Sequence, residues 1–171
     1  MALIRMDIHT IAVGGGPIPS VIVLRSRTSS DETPIELPIR IGTIEAMAIS
    51  MGLDSQLHER PMTNHLLQTG IQSLDATVSR VASGDVHGTT FFAELQLTTS
   101  SGHLVTVDSR PSDAIALAVR MGVPIFADSH VLEAATLPDF KGVERAEKEQ
   151  ELERFHDFVQ SLSPGDFADL E

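Results

Sequence analysis

Apolar and β-branched positions cluster in two stretches near the start of the chain, and glycines and prolines separate them. The stretches "MDIHTIAV" and "SVIVLRSR" flank Gly14, Gly15 and Gly16, a pattern typical of two strands joined by a glycine loop. The stretch "IELPIRI" follows a polar turn and predicts a third strand. The chain therefore begins with three predicted strands in succession.

Two helices are predicted after these strands. The stretch "TIEAMAISM" contains good helix formers and is followed by Gly52, which predicts a helix over 43–51 with a left-handed glycine cap. The stretch "MTNHLLQTGIQSLD" predicts a second helix with Thr63 as its N-cap. The apolar positions on one face of this second helix are Leu66, Leu67 and Ile71.

The same order of elements then recurs. The stretches "ATVSRVAS", "TTFFAELQL" and "HLVTVDS" predict three more strands, followed by a helix over 112–121, the short strand "VPIFA" and a brief helix near "SHVLEAA". An offset of 70 positions aligns the two strand-to-helix junctions and helix ends: Arg40 with Arg110, Ala46 with Ala116, Met51 with Met121, and Gly52 with Gly122. The pattern predicts an α+β protein of duplicated βββα units, about 7–75 and 77–137, each helix packing on a small, mostly antiparallel sheet.

The end of the chain predicts a separate acidic segment. An amphipathic helix that stops before Pro164 is indicated by apolar residues at helical spacing, namely Leu152, Phe155, Val159 and Leu162. We therefore expect a domain over 1–140, followed by an acidic helix and tail over 141–171. The apolar stripe of this helix packs either on its own domain, which is the commoner arrangement, or in a dimer contact.

Composition narrows the class of protein. The chain has 171 residues, of which 42% are hydrophobic and 21% charged, as in globular domains. It contains no cysteine, which excludes disulfides, thiolate catalysis and cysteine zinc sites. The N-terminal residues lack the pattern of a signal peptide, and no apolar stretch approaches the roughly 20 residues that span a bilayer. We expect a soluble cytoplasmic protein with no membrane partner.

The charge of the chain is unusual for a protein that binds polyphosphates. The formal net charge is −12, whereas nucleic-acid affinity rests on clustered lysine and arginine. Much of the excess is local, because the stretches "ERAEKEQELE" and "GDFADLE" hold a large share of the acids. The charge therefore weakens a nucleic-acid interpretation without excluding it.

Candidate chemistry is concentrated in "DSRPSDAIALAVRMGVPIF". Part of this block is explained by the start of a helix, because Pro111 suits the first turn and Asp113 complements the helix dipole. Ser109 or Ser112 could supply the hydroxyl that caps the helix. The start of a helix does not explain why Asp108 is present.

Arg110 is the second residue that a helix start does not explain. An arginine beside exposed helix N–H groups suits an anion such as phosphate, and carboxylates on either side of the junction could hold a divalent metal beside it. Arg40 occupies the equivalent junction of the first half, with Glu45 just inside its helix. The alternative is that each arginine simply pairs with a local carboxylate.

Several blocks of the sequence resemble a known family. The blocks "LPIRIGTIEAMAI", "RPMTNHLL", "TTFFAELQL" and "VDSRPSDAIALAVRMGVPIF" resemble those of the bifunctional nuclease domain family from about Met6 to Ala135. The resemblance implies a nuclease that acts on DNA and RNA. The family's polar signature falls on these residues: Glu45, Arg60, Thr63, Asp108, Arg110, Ser112 and Asp113.

The chain departs from the family at one place. Where the family commonly has Thr-His-Asp-Leu, this chain has Thr63, Asn64, His65 and Leu66. If that histidine and carboxylate performed chemistry, Asn64 would not support the same role, unless His65 takes it over from the next helical position, about 100° round the axis. The more cautious interpretation is that the segment is structural.

For a nuclease, we expect metal-assisted hydrolysis of phosphodiester bonds. Asp108 and Asp113, with Glu45, would hold Mg²⁺ or Mn²⁺ that activates water, and Arg110 would stabilise the charge on the phosphate. Residues expected to bind substrate are Arg40, Arg60, Thr63 and Ser112. The alternative function is a non-enzymatic binding or regulatory module, expected to be a homodimer, for a phosphorylated ligand or a protein partner.

Overall fold

The computed structural model describes residues 2–15, 19–27, 33–53, 60–88 and 90–136. Its elements in chain order are β1 (Leu3–Ala12), β2 (Ser20–Ser26), β3 (Glu36–Ile41), α1 (Thr43–Leu53), α2 (Thr63–Ser73), β4 (Thr77–His87), β5 (Thr90–Thr98), β6 (Leu104–Ser109), α3 (Pro111–Met121), β7 (Ile125–Asp128) and α4 (Ser129–Thr136). These elements lie in the first of two compact units, Met1–Ala135, apart from the last residue of α4. None of the described helices is long and apolar enough to cross a bilayer.

All seven strands form one sheet. The strand order is β3-β2-β1-β7-β4-β5-β6, and every pairing is antiparallel except that between β4 and β7. The α+β class is therefore confirmed. The expectation of two small sheets is wrong, because β7 pairs with both β1 and β4 and joins the two meanders.

The order of elements contains three strands followed by a helix twice, as β1-β2-β3-α1 and β4-β5-β6-α3. The origin of this pattern in a duplication stays a prediction. The acidic segment predicted over 141–171, with its amphipathic helix, lies outside the described residues.

The sheet has one face covered by helices. Side chains of β2 and β5 alternate between buried and more exposed positions, as expected for a sheet with one packed face. We call the side with Leu24, Ala93 and Leu95 the helix face, because these side chains are buried and α1, α2 and α3 contact the strands or one another there. The opposite side is called the open face.

Small residues let α1 and α3 approach closely. Ala46 of α1 and Ala116 of α3 are both buried, and a methyl group at Gly52 would lie 3.1 Å from the Cγ1 of Val119. The prediction that Gly52 caps α1 is wrong, since α1 continues to Leu53 and Gly52 does not have a positive φ. At this position glycine provides room for the neighbouring helix.

The start of α2 also differs from the prediction. The N-cap is Met62, which makes no side-chain capping hydrogen bond, and Thr63 is the first helical residue. Leu66 and Leu67 are exposed and no residue of α2 is buried. Leu66 and Leu67 therefore lie outside the core of the described unit, whereas Ile71 on the same predicted face is half-buried.

Candidate anion site at the start of helix α3

Arg110 occupies the junction between β6 and α3. It is the N-cap of α3, with an extended backbone (φ −69°, ψ 145°), and Pro111 follows it in the first helical turn. Its backbone carbonyl accepts hydrogen bonds from the N–H groups of Asp113 and Ala114, each at 3.1 Å. The backbone is thus fixed by the helix start, while the side chain is 67% exposed.

Two carboxylates hold the guanidinium of Arg110. Its Nε and Nη2 donate to the two carboxylate oxygens of Asp113 at 2.7 and 3.2 Å, and its Nη1 donates to Glu45 Oε1 at 3.1 Å. Hydrogen bonding and charge from Asp113, with further support from Glu45, raise the pKa of Arg110 above its ordinary value. Arg110 is therefore a permanent cation with a fixed direction.

Gly42 allows Glu45 to reach Arg110. A Cβ at position 42 would collide with Glu45 Oε2, so glycine leaves the space that this carboxylate occupies. The close packing of α1 on α3 then places Glu45, from the first turn of α1, beside the first turn of α3. This hydrogen bond thus joins two residues that are 65 positions apart in the chain.

We call Arg110, Asp113 and Glu45 the Arg110 cluster. A groove of about 380 Å³ borders this cluster. Its walls are mostly apolar and include Ile44, Met47, Met51, Met62 and Ala116. Its polar lining includes the Arg110 cluster together with Thr63, Asn64, Ser112 and Arg120. The groove can therefore offer a cation at one end and apolar contact surface along its walls.

A second recess of about 300 Å³ also borders Arg110. Arg40, Glu45, Arg110 and Ser112 all line it. The recess brings the two arginines of the strand-to-helix junctions to one cavity. Both hollows share Glu45, Arg110 and Ser112, so the guanidinium of Arg110 can be reached from either of them.

Asp108 is not part of this cluster. It pairs with Glu94, whereas its neighbour Val107 pairs with the buried Leu95. Asp108 therefore lies on the open face, where it lines a recess of about 430 Å³ with Arg80, Glu94 and Asp128. The predicted grouping of Asp108 with Asp113 is not present in the structure.

The expected carboxylate set does not fit a divalent cation as it is arranged. Asp108 and Asp113 lie on different faces of the sheet, and both carboxylate oxygens of Asp113 accept hydrogen bonds from Arg110. In the described parts of the chain, no three histidine or acidic side chains are grouped so that they could hold a metal ion. We therefore derive no step through a metal.

The structure brings together most of the other predicted site residues. Glu45, Ser112, Asp113 and Thr63 line the groove with Arg110. Arg60 is exposed ahead of α2. No side-chain hydroxyl caps α3, so the predicted capping role of Ser109 or Ser112 is wrong.

Sequence reasoning missed the apolar wall of the groove. Ile44, Met47 and Met51 recur at helical spacing, a signal usually assigned to a core-facing stripe. Ile44 and Met47 are exposed instead, because the core is filled by Ala46 and Ile49 on the adjacent face of α1. The helical spacing shows that these residues share one face of α1. It does not show whether that face is directed to the core or to solvent.

The fold and the site define a class of small α+β proteins with an arginine fixed by two carboxylates at a helix start. Residues 22–139 match the bifunctional nuclease domain, and the chain belongs to that family. Its relatives include the uncharacterized proteins Rv1829 and MT1877 from two strains of Mycobacterium tuberculosis. Each is 38% identical over 135 residues, which cover 77% of this chain and 80% of the relative.

Proposed function

We propose that this chain is a nuclease that hydrolyses phosphodiester bonds of DNA and RNA, and that Arg110 binds the phosphate. Membership of the bifunctional nuclease domain family supports a nuclease-related function. The single observation that carries the choice of site is the fixed, exposed guanidinium of Arg110 between two recesses.

The bonding of Arg110 leaves donors for a phosphate. A guanidinium has five N–H donors, and three hydrogen bonds to Asp113 and Glu45 use one each. The remaining donors suit the paired oxygens of a phosphate. In the transition state, a preorganised cation stabilises the charge that develops on the phosphoryl oxygens.

Ser112 and the start of α3 supply further donors. Ser112 is the second residue of the helix, where a backbone N–H has no acceptor within the helix, and the helix dipole favours an anion. Glu45 and Asp113 act through Arg110 and are positioning residues. Their carboxylates keep the guanidinium in place before substrate binds. The side chain of Arg110 therefore loses less conformational entropy when the substrate binds.

The remaining predicted residues extend the proposed substrate path. A nucleic-acid strand bound over Arg110 would place neighbouring groups toward Arg40 in one recess and Thr63 in the groove. Arg60, exposed ahead of α2, is proposed to contact the same strand. A requirement for Mg²⁺ or Mn²⁺, a homodimer and a cytoplasmic location stay predictions.

The test is cleavage of end-labelled single-stranded and duplex DNA and RNA by highly purified protein in Mg²⁺, Mn²⁺ or EDTA. Arg110→Ala is expected to lower kcat by about 10²- to 10³-fold, the usual effect of removing a group that stabilises transition-state charge. The metal and EDTA arms show whether the reaction needs a divalent ion.

Arg27→Ala is the matched control for this experiment. Arg27 also donates from Nε and Nη2 to both oxygens of one carboxylate, that of Asp7, but it does not line the groove. Its loss is expected to leave cleavage unchanged. Full activity of a folded Arg110→Ala variant would refute the assignment of the site.

A non-enzymatic binding module is the second candidate function. Two carboxylates already compensate the charge of Arg110, and the neighbouring wall exposes Ile44 by 81%. Such a surface suits recognition of a ligand with both an anionic and an apolar part. Saturable oligonucleotide binding without cleavage under every metal condition would favour this function.

A further inference from the structure

The two edges of the sheet are built differently. Among the strands that the structure describes, β3 forms one edge and β6 the other. β3 carries Pro38, which has no N–H, between the charged residues Glu36 and Arg40, and both features discourage pairing with another chain. β6 has the sequence "LVTVDS", with neither proline nor lysine. β6 is thus the edge at which the sheet can be extended.

β6 also exposes apolar surface. Leu104, Val105 and Val107 are 67%, 43% and 42% exposed. Val107 lies beside the buried Leu95 on the helix face, and Val105 lies on the same face. The apolar surface of the helix face therefore continues past the core to β6, where both valines keep about two fifths of their surface exposed among the described residues.

The direction of the β6 backbone groups follows from its pairing with β5. The Thr99 N–H donates to the His103 carbonyl at 3.0 Å, and the register from there through β6 is continuous. Hydrogen-bonded pairs alternate along an antiparallel ladder. The residues that direct their N–H and C=O groups away from β5 are therefore Leu104, Thr106 and Asp108.

We infer that β6 pairs with β6 of a second copy of this chain, antiparallel about a two-fold axis at Thr106. In this register Thr106 faces the partner's Thr106, and Leu104 faces the partner's Asp108. All three residues with outward backbone groups then find partners, which gives about six main-chain hydrogen bonds between the copies. Two seven-stranded sheets become one continuous sheet.

On the helix face the side chains of β6 are complementary to themselves in this register. Val105 faces the partner's Val107 in a pair without hydrogen bonds, where opposed side chains lie closest. The four valines form one apolar strip on the helix face. The two Asp108 carboxylates are separated by four residues along the strands, about 13 Å, which exceeds the Debye length of about 8 Å at physiological salt. A second copy therefore covers the valines without opposing like charges.

The test is the oligomeric state of the full chain by sedimentation equilibrium over a concentration series. Thr106→Pro removes an outward N–H but no hydrogen bond to β5, and Val107→Lys places a charge in the apolar strip. Each is expected to raise the dimer dissociation constant at least about tenfold, or ~1.4 kcal/mol. Val13→Lys, at an exposed position away from β6, is the matched control and is expected to remain dimeric.

Hydrogen exchange provides a second measurement that does not depend on the folding of variants. In the paired form the Thr106 amide of the wild type is expected to be protected, and its protection should fall as the protein is diluted. A monomeric wild type, rapid exchange of the Thr106 amide in a dimeric sample, or a dimer that survives Val107→Lys would each overturn the inference. These outcomes do not depend on whether the chain cleaves nucleic acid.

Discussion

Binding of a single-stranded oligonucleotide is expected to depend only weakly on salt. The two recesses that meet at the Arg110 cluster are lined by three arginines, namely Arg40, Arg110 and Arg120. Arg60 is proposed to contact the same strand, so a bound strand would neutralise one to four phosphates. Since log K changes with log salt by about −0.7 for each phosphate on a single strand, the expected slope lies between about −0.7 and −2.8.

This slope converts into a modest loss of affinity. Raising salt fourfold, from about 50 to 200 mM, should weaken binding by about 3-fold for one phosphate and about 50-fold for four. Proteins that follow a duplex through six to ten phosphate contacts lose about 10³- to 10⁵-fold over the same range. The prediction thus separates a local phosphate site from an extended basic surface.

The assay is fluorescence anisotropy of a labelled oligonucleotide, with its integrity checked on a gel after each titration. Arg110→Ala should reduce the magnitude of the slope by about 0.7, the value of one phosphate contact. Arg27→Ala should leave the slope unchanged. A slope steeper than about −4, or an unchanged slope for Arg110→Ala, would show that phosphates are bound elsewhere on the chain.

Three substitutions test the other parts of the site and fold. Gly42→Ala should displace the Glu45 carboxylate and lower kcat by about ten- to a hundredfold, while the circular dichroism spectrum keeps its native form. Asp108→Asn should leave kcat unchanged, because Asp108 lies on the face opposite Arg110; a tenfold loss in a folded protein would contradict this placement. Gly122→Ala should lower the free energy of unfolding by about 1 kcal/mol in urea titrations, because Gly122 has φ 66°.

The strands were predictable because their signals are local. β-branched residues and an alternation of apolar with polar positions define β2 and β5 without knowledge of the fold. The joining of the two meanders was not predictable in this way. It depends on β7, a strand of four residues that lies between β1 and β4, and so short a strand carries no information about its neighbours.

Glycine signals were harder to interpret. Gly122 does adopt the left-handed conformation expected at the end of α3, whereas the equivalent Gly52 lies inside α1 against Val119. The local sequence is compatible with both roles, because a glycine after a helical stretch can end the helix or admit a neighbour. Only the packing of α1 on α3 decides between them.

The separation of Asp108 from Asp113 could have been inferred from strand periodicity. Val105 and Val107 indicate one face of β6, and side chains alternate along a strand, so Asp108 must lie on the other face. The contact between Arg110 and Glu45 could not be inferred from spacing alone, since it joins helices from different halves of the chain.

The acidic net charge and the proposed anion site are compatible because electrostatic interactions in salt are local. At physiological ionic strength charges more than about 8 Å apart are largely screened, so a phosphate at Arg110 responds mainly to the groups that touch it. Those groups include Asp113 and Glu45, within hydrogen-bond distance of the guanidinium, and they offset part of its attraction for a bound phosphate. Affinity for the ground state must then come largely from the apolar wall of the groove. A base can reach that wall only when it is unpaired, and this favours single strands over duplexes as substrates.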